Sequence, residues 1–380
     1  MKSKIAIPNY VLSLIAFALT WTILEVLCGF VYRHMPNRFS NGKRIVEINL
    51  GKTSNMPASI ISHPYMLYTN SPDYFEGVQQ HNSLGYRSDE FNLVKDPGTI
   101  RILTLGGSTT YGYLNNDPKT TWPAVLQEML RAHTGKKIEV INGGLKYGTS
   151  AELLAAYVFR HRYIKPDIII FHEGGNDAIP VLFPGYDPEY SHFRGHGSGA
   201  SLRKGETVLL YSNVFRVFYS LWLNTRETVY RSQPYPLTEL DRSEAEQRVN
   251  EEKNFEGFRR NVELLIKLAQ MDDSRIMLFG FVQAREENLS KNRKDHIGLE
   301  KTITTCVNKN KAIMKTLAGR YGSVYIDADQ DLFKDEWFLD NCHLTPEGEK
   351  VKAKVVFDQL VPLLDPKNLG NGELAENTFK

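Results

Sequence analysis

The sequence predicts an α/β protein built on a parallel sheet and preceded by a membrane-crossing helix. Three observations carry that prediction. Short apolar runs rich in β-formers recur at 102–105, 138–142, 167–171, 276–282 and 324–327, separated by stretches with helical periodicity. Strands alternating with amphipathic helices mark βαβ units, whose crossovers make a sheet parallel. The first three runs end in polar, glycine-containing turns: Gly106-Gly107-Ser108, Gly143-Gly144-Leu145-Lys146-Tyr147-Gly148 and Gly174-Gly175-Asn176-Asp177. The carboxyl ends of parallel strands are where open α/β sheets bind ligands. Finally, residues 5–24 carry no charge and apolar character persists to Tyr32. A helix of ~22 such residues spans a hydrocarbon core of about 30 Å.

Composition narrows the function. At 380 residues the chain has room for one large domain with additions, or for two modest ones. Its 42% hydrophobic and 24% charged content is that of an ordinary globular chain, which argues against disorder over most of its length. Lys and Arg total 46 against 44 Asp and Glu, so a net +2 gives no electrostatic case for binding nucleic acid. Cys28, Cys306 and Cys342 are too few for a disulfide framework or a cysteine metal cluster.

Taken in order, the chain starts with Lys2 and Lys4 before the apolar run, and Arg33, Arg38, Lys43 and Arg44 come after it. The charge rule therefore leans slightly against export of the domain beyond the run. A cleaved signal peptide is the competing reading of the run, and its length and the lack of a small-x-small site weigh against that. A buried core helix is a third. Glu25, inside the run, needs a partner that the sequence does not name. Residues 36–98 show turn signals and little helical periodicity; within them His81 to Arg87 reads as a turn presenting an aromatic ring and an arginine. Arg87 either binds an anionic group or sits in a surface loop.

Thr121-Trp122-Pro123 starts a helix to about 132, with Val125, Leu126, Met129 and Leu130 on one face. Another helix comes after the second glycine turn, to about 163. At 179–242 the alternation stops. This insertion is rich in Gly, Pro, Tyr and His, then gives an aromatic helix over 214–223. It reads either as a lid over the sheet edge or as a structural excursion covering the sheet or touching the membrane. The rhythm resumes with a long helix over 242–271, a polar loop over 286–296 and a helix over 297–318 that Gly319 ends. Thr345-Pro346 starts the last helix, which runs to about 364. The implied division is an anchor at 1–34, a lead-in at 35–98 packing on the main domain, the main domain at 99–365, and a flexible tail at 366–380.

Three strand ends thus offer Ser108, the 143–148 turn and Asn176, while a late turn offers Asp340 and His343 just before a helix. Acyl transfer needs a nucleophile, a base to take its proton and donors aimed at the developing oxyanion. Ser108 can be the nucleophile, His343 the base, and Asp340 the group that holds its ring. The Ser108 N–H, a glycine N–H of the second turn and the Asn176 amide can face the oxyanion.

This constellation closely resembles the SGNH hydrolases, the GDSL-like esterase and lipase family, in its membrane-anchored bacterial form. The family's Gly-Asp-Ser block is matched by Gly106-Gly107-Ser108, with glycine in place of the usual aspartate. Its Gly-x-Asn-Asp block is matched by Gly174-Gly175-Asn176-Asp177 and its Asp-x-x-His block by Asp340-Asn341-Cys342-His343. The stretch 82–87 is similar to a segment preceding the serine block in anchored members. The glycine block departs from the pattern, with Tyr147 and Gly148 exchanged; Gly148 is the candidate donor and Gly144 the structural glycine, and the reverse assignment stays open.

The resemblance implies a flavodoxin-like three-layer α/β/α sandwich with a five-stranded parallel sheet in the order 2-1-3-4-5. It implies hydrolysis of O-acyl esters, acetyl foremost, on carbohydrates or lipid-like substrates, and it is the sole ground for placing the domain outside the cytoplasm. No metal or organic cofactor is implied. An O-acyltransferase acting on a surface polysaccharide uses the same groups, and a non-catalytic membrane-anchored assembly protein is the alternative from another class. Other residues have plainer readings. His172 and Glu173 are structural, Cys342 is a packed thiol pointing away from the base, and Asp177 braces Asn176 or caps the next segment. Asp327 and Asp329 stabilise loops, and Lys146 faces solvent in preference to an anionic substrate.

Overall fold

The computed structural model describes residues 8–35, 43, 46, 59–76, 79–115, 117–194, 206–225, 237–292 and 296–364. They belong to two compact units, Met1–Pro57 with His196–Arg231, and Ala58–Gly195 with Ser232–Lys380.

The first unit holds α1 (Asn9–Arg33), a helix whose most apolar stretch has a mean hydropathy of 2.2 and no buried residue. It is long and apolar enough to cross a membrane. The helix of the insertion, Asn213–Thr225, packs on its last turns.

The second unit opens with two short hairpins, β1 (Ile60–His63) with β2 (Leu67–Asn70) and β3 (Phe75–Glu76) with β4 (Gln79–Gln80). The main sheet then comprises β5 (Ile100–Gly106), β6 (Ile138–Asn142), β7 (Ile168–His172), β8 (Arg275–Phe279) and β9 (Val324–Ile326), ordered β6-β5-β7-β8-β9. Every pairing is parallel. Counting only these strands, the order is the expected 2-1-3-4-5.

The helices, in chain order, are α2 (Ser108–Tyr111), α3 (Trp122–Thr134), α4 (Ser150–Phe159) and α5 (Ala178–Val181). They continue with α6 (Asn213–Thr225, in the first unit), α7 (Arg242–Asn250), α8 (Glu256–Met271), α9 (Glu286–Asn292), α10 (Glu300–Tyr321) and α11 (Pro346–Leu364). Because β5 and β7 are buried on both faces, their side chains alternate between two helical layers. Ile102 and Ile170 pack with Trp122, Leu126 and Leu130 of α3 and with Val356 and Leu360 of α11. Phe171, next along β7, meets Phe258 of α8. The result is the three-layer sandwich.

Several local expectations change. The helix read over 242–271 is two helices, since Glu251 is extended and the Asn254 amide caps the Arg248 carbonyl at 2.8 Å. Part of the polar loop at 286–296 is helical, as α9. Helix α10 runs past Gly319, around which there is open space, and ends at Gly322 in the left-handed region. Helix α4 stops at Phe159 and a 3-10 turn carries the chain to Ile164. Arg87 is not in an exposed surface loop. It is buried, and its guanidinium donates to the carbonyls of Tyr111 (3.0 Å), Gly112 (2.6 Å) and Asn115 (2.5 Å), fixing the loop after Ser108.

Candidate active site

Strand β5 carries Ser108 to the sheet edge, and Gly107 turns the chain there. The Thr110 and Tyr111 N–H groups donate to the Gly107 carbonyl at 3.1 and 3.0 Å, closing the single turn of α2. The Ser108 N–H takes no part in those bonds. Two buried side chains of α11 hold this turn against α3: Lys352 donates to the Thr109 carbonyl at 3.1 Å, and Glu349 accepts the Trp122 N–H at 2.9 Å. Neither was legible in the sequence, because a charged residue in a helix reads as solvent-facing unless the tertiary contacts are known.

His343 lies 235 residues on, and its Nε2 is 2.8 Å from the Ser108 hydroxyl. Its Nδ1 is 2.7 Å from Asp340 Oδ2. The other carboxylate oxygen accepts the N–H groups of Cys342 and His343, both at 2.9 Å, so the four-residue turn is wound about the Asp340 side chain. The Tyr113 ring packs edge-on against His343 at 5.4 Å. Ser108, His343 and Asp340 therefore form one continuous hydrogen-bonded line, with the serine hydroxyl donating to Nε2 and the Nδ1–H donating to the carboxylate.

Burial raises the Asp340 carboxyl, but the His343 imidazole and the two N–H groups outweigh it and bring the group down to about 2. For His343, burial acts against the cation and is overcome by Cys342 and Asp340, so the imidazole is raised above its ordinary value of 6.5. The Cys342 sulfur lies 3.8 Å from His343 Nδ1 and does not point away from the ring as expected. Donor atoms of Asp340, Cys342 and His343 fall within 4.8 Å of one another, as metal ligands would. The Asp340–His343 hydrogen bond already engages two of them and accounts for the spacing.

Strand β7 delivers Glu173 and Asn176. Glu173 is fully buried, and its Oε1 accepts the N–H groups of Gly174 at 3.0 Å and Asn176 at 2.7 Å. The Gly107 N–H faces this carboxyl and favours its ionised form. A side chain at 107 would meet Asn176 Nδ2 at 2.3 Å and Glu173 Oε2 at 2.4 Å. That explains why glycine stands where the resemblance leads one to expect aspartate: a carboxyl from the neighbouring strand fills the space. Burial and the nearby Asp177 push Glu173 up to about 8. Asp177 caps a helix, but the earlier α4 and not the next segment: it accepts the Ser150 N–H (2.8 Å) and hydroxyl (2.5 Å) and the Tyr190 hydroxyl (2.7 Å).

The glycine turn is braced from three sides. Asn70 donates to the Gly144 carbonyl and Tyr68 to the Lys146 carbonyl, each at 2.9 Å, so the first hairpin holds it from below. Arg194 donates to the Tyr147 carbonyl at 2.5 Å and grips buried Glu152 with two further bonds. Tyr147, exchanged with glycine in the sequence, adopts φ +62. A side chain at 144 would strike the Tyr111 backbone at 2.2 Å, so only glycine fits there. The Gly148 N–H donates to the Leu145 carbonyl at 3.0 Å and the Gly144 N–H to Asn142 Oδ1 at 2.9 Å. Both candidate glycine donors thus have acceptors inside the turn. Lys146 is buried, against expectation, reaching Ser59 at 3.0 Å and lying over the rings of Tyr111 and Tyr113 at 4.6 and 5.4 Å. Asn176 Nδ2 donates to the Gly148 carbonyl at 2.8 Å and sits 3.4 Å from Glu173 Oε2.

A cavity of about 380 Å³ opens over this arrangement, lined by Ser108, Asn176 and His343 and walled by Phe281, Leu289, Ile303 and Val307. A larger cavity of about 700 Å³, over Asp89, Glu90 and Gln127, touches none of them; volume alone does not mark the site.

The GDSL-like Lipase/Acylhydrolase family profile matches residues 104–351, which includes the carboxyl ends of all five strands of the main sheet and the Asp340–His343 turn. The chain belongs to this family. A lipase/acylhydrolase from Enterococcus faecalis is similar at 15% identity and a TM-score of 0.42, over 70% of this chain and 98% of that one. An acetylxylan esterase from Geobacillus stearothermophilus gives 14% identity and a TM-score of 0.41 over 69% and 94%. An alpha/beta hydrolase enzyme from the metagenome of Lake Arreo gives 14% and 0.39 over 72% and 97%. Likenesses of this size bear on no substrate. Comparison with curated proteins gives no match.

Proposed function

We propose that the protein is a serine esterase of the SGNH type, acting on O-acyl esters through an acyl-enzyme on Ser108. The observation that carries this reading is the hydrogen-bonded line from the Ser108 hydroxyl through His343 to Asp340, with steps of 2.8 and 2.7 Å. His343 Nε2 takes the hydroxyl proton as Oγ attacks the ester carbonyl, and then gives it to the leaving alkoxide. Water, deprotonated by the same imidazole, attacks the acyl-enzyme and releases the carboxylic acid. Asp340 keeps the ring in the Nδ1–H tautomer and stabilises the imidazolium.

The Ser108 N–H and the Asn176 amide are the donors for the oxyanion. One Asn176 hydrogen is committed to the Gly148 carbonyl; the other faces Glu173 at a long 3.4 Å. A Glu173 that keeps its proton is a poor acceptor, which leaves that hydrogen for the substrate. A Gly148 contribution requires its N–H to be shared with the Leu145 carbonyl. The apolar wall of the cavity takes the acyl group, and acetyl fills only part of it. Alcohol portions of carbohydrate or lipid-like character are taken from the resemblance. So is the placement outside the cytoplasm of a domain anchored by α1; digestion of intact cells by added protease tests it, and a protected domain would refute it.

Hydrolysis of p-nitrophenyl acetate and of butyrate and octanoate homologues tests the reading. Turnover is expected from the wild type and not from Ser108→Ala. A folded wild type inert to the whole series would move the reading to an acyltransferase awaiting its acceptor.

A further inference from the structure

Glu25 is a carboxylate in the apolar run of α1, and the structure gives it a partner. It accepts the Ser212 hydroxyl and the Asn213 N–H, the latter at 2.6 Å, at the amino-terminal end of α6. The Asn213 amide donates in turn to the Glu25 carbonyl at 3.2 Å, and a side chain at Gly29 would meet that amide at 2.9 Å. Tyr32, Leu210 and Val217 close the contact with an apolar cluster. Helix α6 is thus fastened along one face to the last turns of α1.

Its opposite face is apolar and exposed. Phe215, Phe218 and Trp222, with Tyr211 just before the helix, are 37%, 65%, 43% and 74% exposed and lie on one stripe. Arg216, the charged residue of the helix, folds back onto the Leu210 carbonyl at 2.5 Å and Asn213 Oδ1 at 3.2 Å and leaves the stripe uncharged.

We infer that α6 is a second membrane-contacting element, lying in the bilayer interface with its aromatic stripe against lipid. The inference rests on α1 being a membrane span. Glu25 lies eight residues before Arg33, which at 1.5 Å per residue is ~12 Å of helix below the first water-facing cation. A carboxylate there must be satisfied by neighbouring protein, and what satisfies it is the start of α6. The start of α6 is therefore at the depth of Glu25, and an apolar face at that depth meets lipid. Thirteen residues of helix are ~20 Å long, too short to cross, and Trp and Tyr suit the interface. Removal of α1 as a signal peptide would strip α6 of its dock, so the contact also requires α1 to be retained.

The test uses the full chain in phosphatidylcholine–phosphatidylglycerol nanodiscs, with the native cysteines replaced by alanine. Phe218→Cys carries an environment-sensitive fluorophore, and quenching by lipids spin-labelled at acyl carbon 5 is read. Trp222→Cys repeats the measurement on the same stripe. Leu19→Cys in α1 and the exposed Leu332→Cys report span and water. Several-fold stronger quenching at 218 and 222 than at 332 is the expected result. Quenching at 19 with water-like values at 218 and 222 overturns the inference while sparing the span. Absence of quenching at 19 removes the span and the inference with it. Cross-linking between 218 positions of two copies, without quenching, assigns the stripe to self-association and equally overturns it.

Discussion

Asp340 and Glu173 are both carboxyl groups at the sheet edge, each bonded to backbone N–H groups of its own turn, yet they end in opposite states. Asp340 faces an imidazole that can carry positive charge, and is held down to about 2. Glu173 is wholly buried, has a second carboxylate in Asp177 beside it, and is pushed up to about 8. Hydrogen-bond donors alone do not decide ionisation; the sign of the nearest charge and access to water do. The contrast separates two tasks. In the proposed mechanism an ionised carboxylate behind the histidine stabilises an imidazolium, whereas a carboxylate beside the oxyanion would oppose the charge that develops there.

The largest effect is expected where the ionised group is lost. Asp340→Asn should lower kcat by ~10³- to 10⁴-fold, because an amide leaves the ring in the wrong tautomer; steady-state kinetics with unchanged circular dichroism would check it. Loss of no more than a few-fold would break the assignment of Asp340.

Glu173→Gln comes next. Its amide nitrogen would confront the Gly107 N–H and Asn176 Nδ2, disturbing both donors. A fall in kcat of ~10- to 100-fold with little change in KM is expected, since one misaligned donor costs less than the ~10²- to 10³-fold of a deleted one. The glycine at 107 sharpens the point. Gly107→Asp alone should be inactive, and adding Glu173→Ala should restore part of the activity by freeing the space for the new carboxyl. A double variant no better than the single one would show that the two carboxyls do not share a place.

The pH dependences differ in sign. Asp340 is depressed, so its stabilising contribution is present above the ordinary value of 3.8 and is lost as pH falls through about 2. Glu173 is raised, so between 4.5 and about 8 the folded chain keeps a proton that the unfolded chain has released, and stability falls as pH rises through that window. Urea unfolding of wild type and Glu173→Gln from pH 4 to 9 should show this slope in the first and a flatter one in the second. The acid limb of kcat/KM should lie above pH 6.5, because in the proposed mechanism His343 must be neutral to act as base and its imidazole is raised. The smallest effect is at Cys342: replacement by alanine should move that limb to lower pH with less than a ten-fold change in the plateau. An unmoved limb would exclude the sulfur as a contributor to the base.

The strands and the placement of Ser108, Asn176, Asp340 and His343 at strand ends and a late turn are legible because periodicity and turns are local signals; the strand order came from the resemblance. What holds those residues was not legible. Lys352, Glu349, Arg87, Tyr68 and Asn70 act across 24 to 243 residues of chain and carry no local mark of burial. The glycine turn was readable as a turn, but the acceptors of the Gly144 and Gly148 N–H groups depend on backbone geometry that the residue types do not dictate. Glu173 was read as structural because a glutamate ending a strand has no signature; the missing side chain at Gly107 was the available clue. Lys146 and Cys342 were misplaced for the same reason, their neighbours being distant or conformational.

An acyl-enzyme on Ser108 is tested by intact-protein mass after incubation with a p-nitrophenyl phosphonate, with peptide mapping of the product. One adduct per chain is predicted, on Ser108, absent from Ser108→Ala, and strongly slowed by His343→Ala, with loss of esterase activity in step with labelling. An adduct on another residue, or esterase activity that persists in Ser108→Ala, would contradict it.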